Sequence, residues 1–126
     1  MAERPKIALL ADMHCPFCQI SANTRPARVF LENDTVIVFE DIIPRAAIHL
    51  LVCPKAHVER LAEVSDELLG QLLATVREVT RRLDIEDNFR LVLNNGASAG
   101  QIIDHLHFHI MSNARRNLEL EGRSGR

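Results

Sequence analysis

A chain of 126 residues, 47% hydrophobic and 25% charged, has the makeup of one ordinary folded domain and is long enough to bury a core without staples. A formal net charge of −2 gives no bulk attraction to nucleic acid or membrane, and no apolar run approaches the length of a transmembrane helix. Three cysteines do not suggest a disulfide framework; they point to metal binding or free thiols in a reducing compartment.

Met1 to Lys6 is short and polar, and Ile7-Ala8-Leu9-Leu10 is too short for a signal peptide, so a cytoplasmic protein is expected. Ile7 to Leu10 suits a short strand or helix. The next feature is His14-Cys15-Pro16-Phe17-Cys18, with C-x-x-C expected at a turn. That spacing is the usual first half of a zinc site and also serves redox chemistry. Redox chemistry would want a helix opening directly behind the first cysteine in a βαβ unit, and Gln19 to Ala27 carries no such pattern.

Arg28-Val29-Phe30-Leu31 and Val36-Ile37-Val38-Phe39-Glu40 predict two strands joined at Asn33-Asp34 as a hairpin. Pro44 closes the stretch after Asp41. His49 to Cys53 predicts a third strand, ended by Pro54. Ser65 is placed to cap a helix whose first turn carries Asp66 and Glu67. Leu68, Leu69, Leu72, Leu73, Val76 and Val79 follow at helical spacing, so the helix should run to about Leu83 and pack on the sheet. Phe89 to Leu93 predicts a fourth strand, and Asn94 to Gly100 a loop. From Asn113 the chain turns polar, as a loose tail would. The expected architecture is α+β: an antiparallel sheet of about five strands with one main helix, a single domain over 1–126 with its core at about 15–112.

The last strand is the informative one. In His105-Leu106-His107-Phe108-His109-Ile110, histidine alternates with a large apolar residue. Period 2 puts His105, His107 and His109 on one face of a strand and Leu106, Phe108 and Ile110 on the other, in a core. Such a row of imidazoles is a poor apolar surface, and each can act as nucleophile, acid/base or metal ligand. Along a strand His105 and His109 stand about 13 Å apart. Two imidazoles converging on one zinc span about 11 Å at most. The three must therefore divide at least two jobs.

The motif from His105 to Met111 resembles the signature of the histidine triad family of nucleotide hydrolases and transferases. Asp41-Ile42-Ile43-Pro44, His49-Leu50-Leu51-Val52-Cys53-Pro54-Lys55-Ala56-His57, Asn94-Asn95-Gly96 and Gly100-Gln101 resemble further family motifs, in order, from about Cys15 to Ile110. The most similar branch is Hint-like and carries a Cys-x-x-Cys zinc site. The resemblance implies two such units pairing into a homodimer with one continuous sheet.

It also implies roles. His107 attacks an α-phosphate and forms a nucleotidyl-histidine, His109 holds phosphate oxygens, and His49 supports the triad. Asp41 and Ile42 match positions that hold the nucleoside of an AMP-type purine nucleotide. A turn residue before Pro44 is an equal alternative for Asp41. Cys15, Cys18, His57 and His105 match four zinc ligands, a closed structural set that gives His105 its own job. The plain alternative is two free thiols and a hydrogen-bonded histidine. His14 has no counterpart and is expected on the surface, and Cys53 in its apolar strand suits packing.

From the residues themselves, the small Gly96 to Gly100 loop can let backbone N–H groups approach an anion, with Asn94 and Gln101 adding side-chain donors and acceptors. Ile102 stands where many Hint-like members carry Ser or Thr, so leaving-group assistance should be weaker. The expected activity is hydrolysis of purine nucleoside phosphoramidates or related adenylates. The alternatives are a dinucleoside polyphosphate hydrolase or nucleotidyltransferase, and a low-turnover nucleotide-binding interaction protein.

Overall fold

A computed structural model describes Arg4 and residues 14–114. Its elements are α1 (Pro16–Ser21), β1 (Val29–Glu32), β2 (Val36–Glu40), β3 (Ile48–Pro54), α2 (Asp66–Arg82), β4 (Arg90–Leu93) and β5 (Phe108–Ser112), with short 3-10 turns at Leu61–Glu63 and Ala97–Ala99. The five strands form one sheet in the order β1-β2-β3-β5-β4, and every neighbouring pair is antiparallel. This is the expected α+β architecture.

The two faces of the sheet are sorted by the period of 2. On one face Val36, Val38, Leu50, Val52, Phe108 and Ile110 meet Leu72, Val76 and Val79 of α2. Burying such a side chain contributes about 1.5–3 kcal/mol. On the other face Ile37, Phe39, Leu51 and Cys53 meet Cys15, Phe17, Cys18 and Ile20. Because both faces are covered, β3 is buried along its whole length. The alternation also decides where the chemistry goes. His49 in β3 and His109 in β5 share the α1 side, offset diagonally, because Leu51 pairs with His109 and His49 with Met111.

Local signals worked as expected in α2 and the hairpin. Ser65 Oγ accepts the Leu68 N–H (3.1 Å), with Asp66 and Glu67 in the first turn and Arg81 and Arg82 in the last. Asn33 Oδ1 accepts the N–H groups of Thr35 and Val36, which closes the β1–β2 turn.

Several expectations are corrected. A helix does open directly behind Cys15: Pro16 sits in its first turn, and Cys15 Sγ accepts the Cys18 N–H (3.4 Å). At six residues it is too short to leave a periodic pattern. The histidine strand starts only at Phe108; His105 ends a bend, its N–H donating to Ile103 O (2.9 Å), and Leu106 and His107 lead from it into the strand, keeping the alternation while the Leu106 N–H donates to Val58 O (2.6 Å). Phe89 falls just outside β4. Leu73 lies 40% exposed on the outer side of α2. Asn113 is no loose tail residue, since its Oδ1 accepts the Ala47 N–H (2.8 Å), and Ala114 packs on the core. The segments expected at Ile7–Leu10 and in the tail beyond residue 114 lie outside the described residues.

Candidate functional site

Two side-chain clusters occupy the α1 side of the sheet. The first joins Cys15, Cys18, His57 and His105, whose ligating atoms lie within 4.8 Å of one another. Cys15 Sγ is 3.3 Å and Cys18 Sγ 3.6 Å from His105 Nδ1, and Cys18 Sγ is 3.2 Å from His57 Nδ1. The far nitrogen of each ring is engaged: His105 Nε2 lies 2.8 Å from Pro54 O, and His57 Nε2 lies 3.3 Å from Glu59 Oε2. Both acceptors demand a proton, so both rings carry it at Nε2 and present a bare Nδ1 lone pair to the thiols. Around a tetrahedral zinc, with S at about 2.3 Å and N at about 2.0–2.1 Å, sulfur and nitrogen would stand about 3.5 Å apart. The four residues therefore fit a closed metal site in number, donor type, tautomer and spacing. Burial is the main force that holds the fully buried His105 down at about 4, so its ring is neutral at pH 7, as a ligand must be.

Cys53 stays outside this group. It is fully buried against Cys15 and Leu51, and burial pushes its thiol well up. His14 is exposed.

The second cluster is a chain of hydrogen bonds whose direction can be read off. The Arg45 backbone N–H donates to His49 Nδ1 (3.1 Å), so His49 carries its proton at Nε2. That proton faces His109 Nδ1 (2.9 Å), with Asp41 Oδ2 beside it at 3.3 Å. His109 thus accepts at Nδ1 and carries its own proton at Nε2. His109 Nε2 is buried and has no partner among the described residues. A buried donor without a partner calls for a ligand. His107 is set the other way round: its Nδ1–H donates to His105 O (2.7 Å), which leaves the Nε2 lone pair unprotonated. The His107 and His109 rings lie 5.0 Å apart, edge to face.

Burial is also the largest force on this cluster. It lowers His109 to about 4, helped by the neighbouring imidazoles and Arg45 and opposed by Asp41. It lowers His107 and His49 as well, against the His105 carbonyl and Asp41 for His107 and against Asp41 for His49. All three rings are neutral at pH 7, and a neutral imidazole is what a nucleophile requires.

The other expected residues fare unevenly. Asp41 takes the turn role weighed for it, since its Oδ1 accepts the Ile43 N–H (2.9 Å); its Oδ2 faces His49, a contact the sequence did not suggest. Ile42 and Ile102 are 93% and 89% exposed and belong to neither cluster. Gly96 and Gly100 adopt φ values of 98° and 94°, open only to glycine at low cost, and Asn94 flanks Gly100. The loop is a weaker anion cradle than expected. The N–H groups of Gly96, Ala99, Gly100 and Gln101 all have acceptors within the loop. The Gln101 amide is equally engaged: Oε1 accepts the Gly96 N–H (2.7 Å), and Nε2 donates to Glu59 O and Ile103 O (both 2.9 Å).

Two contributors went unseen in the sequence. Phe17, inside C-x-x-C, packs edge-on against His105 and His107 with centroids at 5.7 and 5.0 Å. Glu59 fixes the His57 tautomer; its place two residues after His57 was the available signal.

Comparison with known proteins agrees with this geometry. The HIT domain family profile matches residues 22–116. Protein HitA of Neisseria gonorrhoeae is 39% identical over 101 residues, covering 78% of this chain and 94% of that protein. The adenosine 5'-monophosphoramidase hnt1 of Schizosaccharomyces pombe is 38% identical over 99 residues, covering 79% and 74%. The crystal structure of a HIT family hydrolase from Legionella pneumophila superposes with a TM-score of 0.76 at 32% identity, covering 81% of this chain and 95% of that one. With three quarters of its length matched by that profile and its histidines in this arrangement, the chain belongs to the histidine triad (HIT) family.

Proposed function

We propose that this protein is a nucleotide hydrolase that cleaves at the α-phosphate of purine nucleoside phosphoramidates or related adenylates. The observation that carries this is the pair of opposed tautomers: a bare Nε2 on His107 beside a partnerless Nε2–H on His109. One ring attacks phosphorus while its neighbour holds a non-bridging oxygen, and nothing has to be reprotonated first.

His107 Nε2 forms a bond to the α-phosphorus as the bond to the leaving group breaks, and the leaving group departs with a proton from water. Water then attacks the same phosphorus, giving its proton to the hydroxide left by the first step, and the P–N bond to His107 breaks, which releases the nucleoside monophosphate and returns His107 to its starting state. His105 O stabilises the Nδ1–H of His107 as the ring gains positive character. The Arg45–His49–His109 chain keeps the His109 proton directed outward throughout. Asp41 and Ile42 face the nucleoside. Gly100, Gln101 and Asn94 shape the adjoining loop, where Gln101 acts by holding the backbone. Cys15, Cys18, His57 and His105 would hold zinc, whose contribution would be structural, tying α1 to the residues that lead into β5.

The resemblance to a phosphoramidase and to HIT hydrolases supports the substrate class. Incubation with adenosine phosphoramidate should release AMP and ammonia; no AMP release, with His107→Ala indistinguishable from the parent protein, would refute the proposal. The exposed, apolar Ile102 favours one second reading, a nucleotide-binding protein of low turnover, which predicts AMP binding by calorimetry without an adduct on His107. A panel of phosphoramidates, acyl adenylates and dinucleoside polyphosphates assigns the leaving group. The unit is further proposed to work as a cytoplasmic homodimer, which light scattering on the purified protein would test. Among the described residues no helix is long and apolar enough to cross a membrane.

A further inference from the structure

The metal-ligand cluster and the reacting histidines are joined by more than sequence proximity. His105 offers its ring to the thiols and its backbone carbonyl to His107 Nδ1 (2.7 Å). Whatever fixes the His105 ring therefore also fixes the acceptor that decides which nitrogen of His107 is bare. A second path starts at His57. Two residues on, Glu59 O accepts from Gln101 Nε2 (2.9 Å), and Gln101 Oε1 accepts the Gly96 N–H (2.7 Å). Leu61 N–H donates to Asn95 Oδ1 (2.8 Å) in the same loop, and Leu106 N–H donates to Val58 O (2.6 Å). Residues 57–61 and 95–107 are thus stitched together along their length, with the cysteine–histidine cluster at one end and the nucleophile at the other.

Resting on the proposed reaction, we propose that metal held by the cysteine–histidine cluster controls the catalytic site through two positioning residues: His105, which sets the tautomer of His107, and Gln101, which sets the backbone of the 96–100 loop. Gln101 suits this role because both its amide groups are buried and engaged between the two segments, with none left to meet a substrate. The cluster then acts as a positioning support for the reacting groups as well as a staple for the fold. A protein that lost its metal, or whose Cys15 and Cys18 were oxidised, would hold its substrate site in a less competent geometry.

The test uses the full chain with and without zinc, and three measurements. Long-range 1H–15N spectra report the tautomer of His107, hydrogen exchange reports the Gly96 amide, and rapid quench reports formation of the nucleotidyl-histidine. Zinc loading should lock His107 as the Nδ1–H form, slow Gly96 exchange about 10-fold or more, and speed adduct formation about 10- to 100-fold. Zinc-loaded Gln101→Met should keep its metal and its His107 tautomer while Gly96 exchange and the adduct rate revert towards the metal-free values; this variant carries the test alone if the metal-free protein unfolds. A His107 tautomer and a Gly96 exchange rate indifferent to zinc, or a Gln101→Met protein with unaltered exchange, would overturn the proposal. Failure of AMP release with the zinc-dependent tautomer intact would sink the proposed reaction and leave the coupling standing; AMP release without metal dependence would do the reverse.

Discussion

Replacing His49 by Leu removes the residue that orients His109 without touching the nucleophile. In the parent protein His109 Nδ1 accepts from His49 Nε2 at 2.9 Å, and that bond makes Nε2 of His109 the protonated nitrogen. Without His49, presenting Nε2–H to phosphate leaves Nδ1 buried with no donor. An unsatisfied buried acceptor costs about 1–3 kcal/mol. The ring escapes that cost by moving the proton to Nδ1, where it no longer faces phosphate. The productive tautomer is then depleted by the same free energy, which corresponds to a fall in kcat of about 5- to 150-fold. KM should change less, since nucleoside contacts stay in place. His49→Gln retains an amide N–H able to reach His109 and should recover most of the loss. Single-turnover AMP release gives the rates, and urea unfolding, in which Leu should lose about 1–3 kcal/mol because the Arg45 N–H is left without its acceptor, separates stability from chemistry. The reasoning fails if His49→Leu keeps kcat within about twofold, or if Gln is as impaired as Leu.

Other outcomes follow from the same geometry. The purified protein should bind zinc through the cysteine–histidine cluster, and Cys18→Ser should lose metal and lower Tm; full stability at zero metal content would contradict the assignment. Stability should depend on acid through His109. Its folded value of about 4 lies below the ordinary 6.5, so the unfolded chain binds the extra proton. This contribution is complete above pH 6.5 and is lost as pH falls through about 4, by at most about 1.4 kcal/mol per pH unit, and Tm in buffers across that window checks it. Ile102→Ser should raise turnover of substrates with poor leaving groups by about 10-fold, with good leaving groups little affected, because a hydroxyl supplies the assistance the apolar side chain lacks; equal gains on both classes would argue against that role.

What the sequence disclosed was set by periodicity and by spacing. The β-branched and aromatic run Val36–Phe39 marked a strand buried on both faces, and strict alternation over His105–Ile110 sorted imidazoles from core, because one misplaced residue would have put imidazoles into the α2 core. The distance argument divided His105 from His109, and the structure places them in different clusters. The helix behind Cys15 was hidden because six residues complete too few turns to show a period. The loop was overvalued as an anion cradle for a related reason. Small residues advertise close approach, but sequence does not show that Gly96, Ala99, Gly100 and Gln101 direct their N–H groups inward. Most tautomers were illegible, since each depends on the exact aim of a partner group that sequence does not show, whether distant, as Pro54 O is for His105, or near, as His105 O is for His107.

The central claim is that His107 Nε2 makes a bond to phosphorus. Rapid quench of the protein mixed with an adenosine phosphoramidate, followed by peptide mass analysis, measures this directly. An adenylyl group on His107, appearing before AMP and absent from His107→Ala, is the predicted result; AMP formed at full rate with no adduct on that histidine would contradict it.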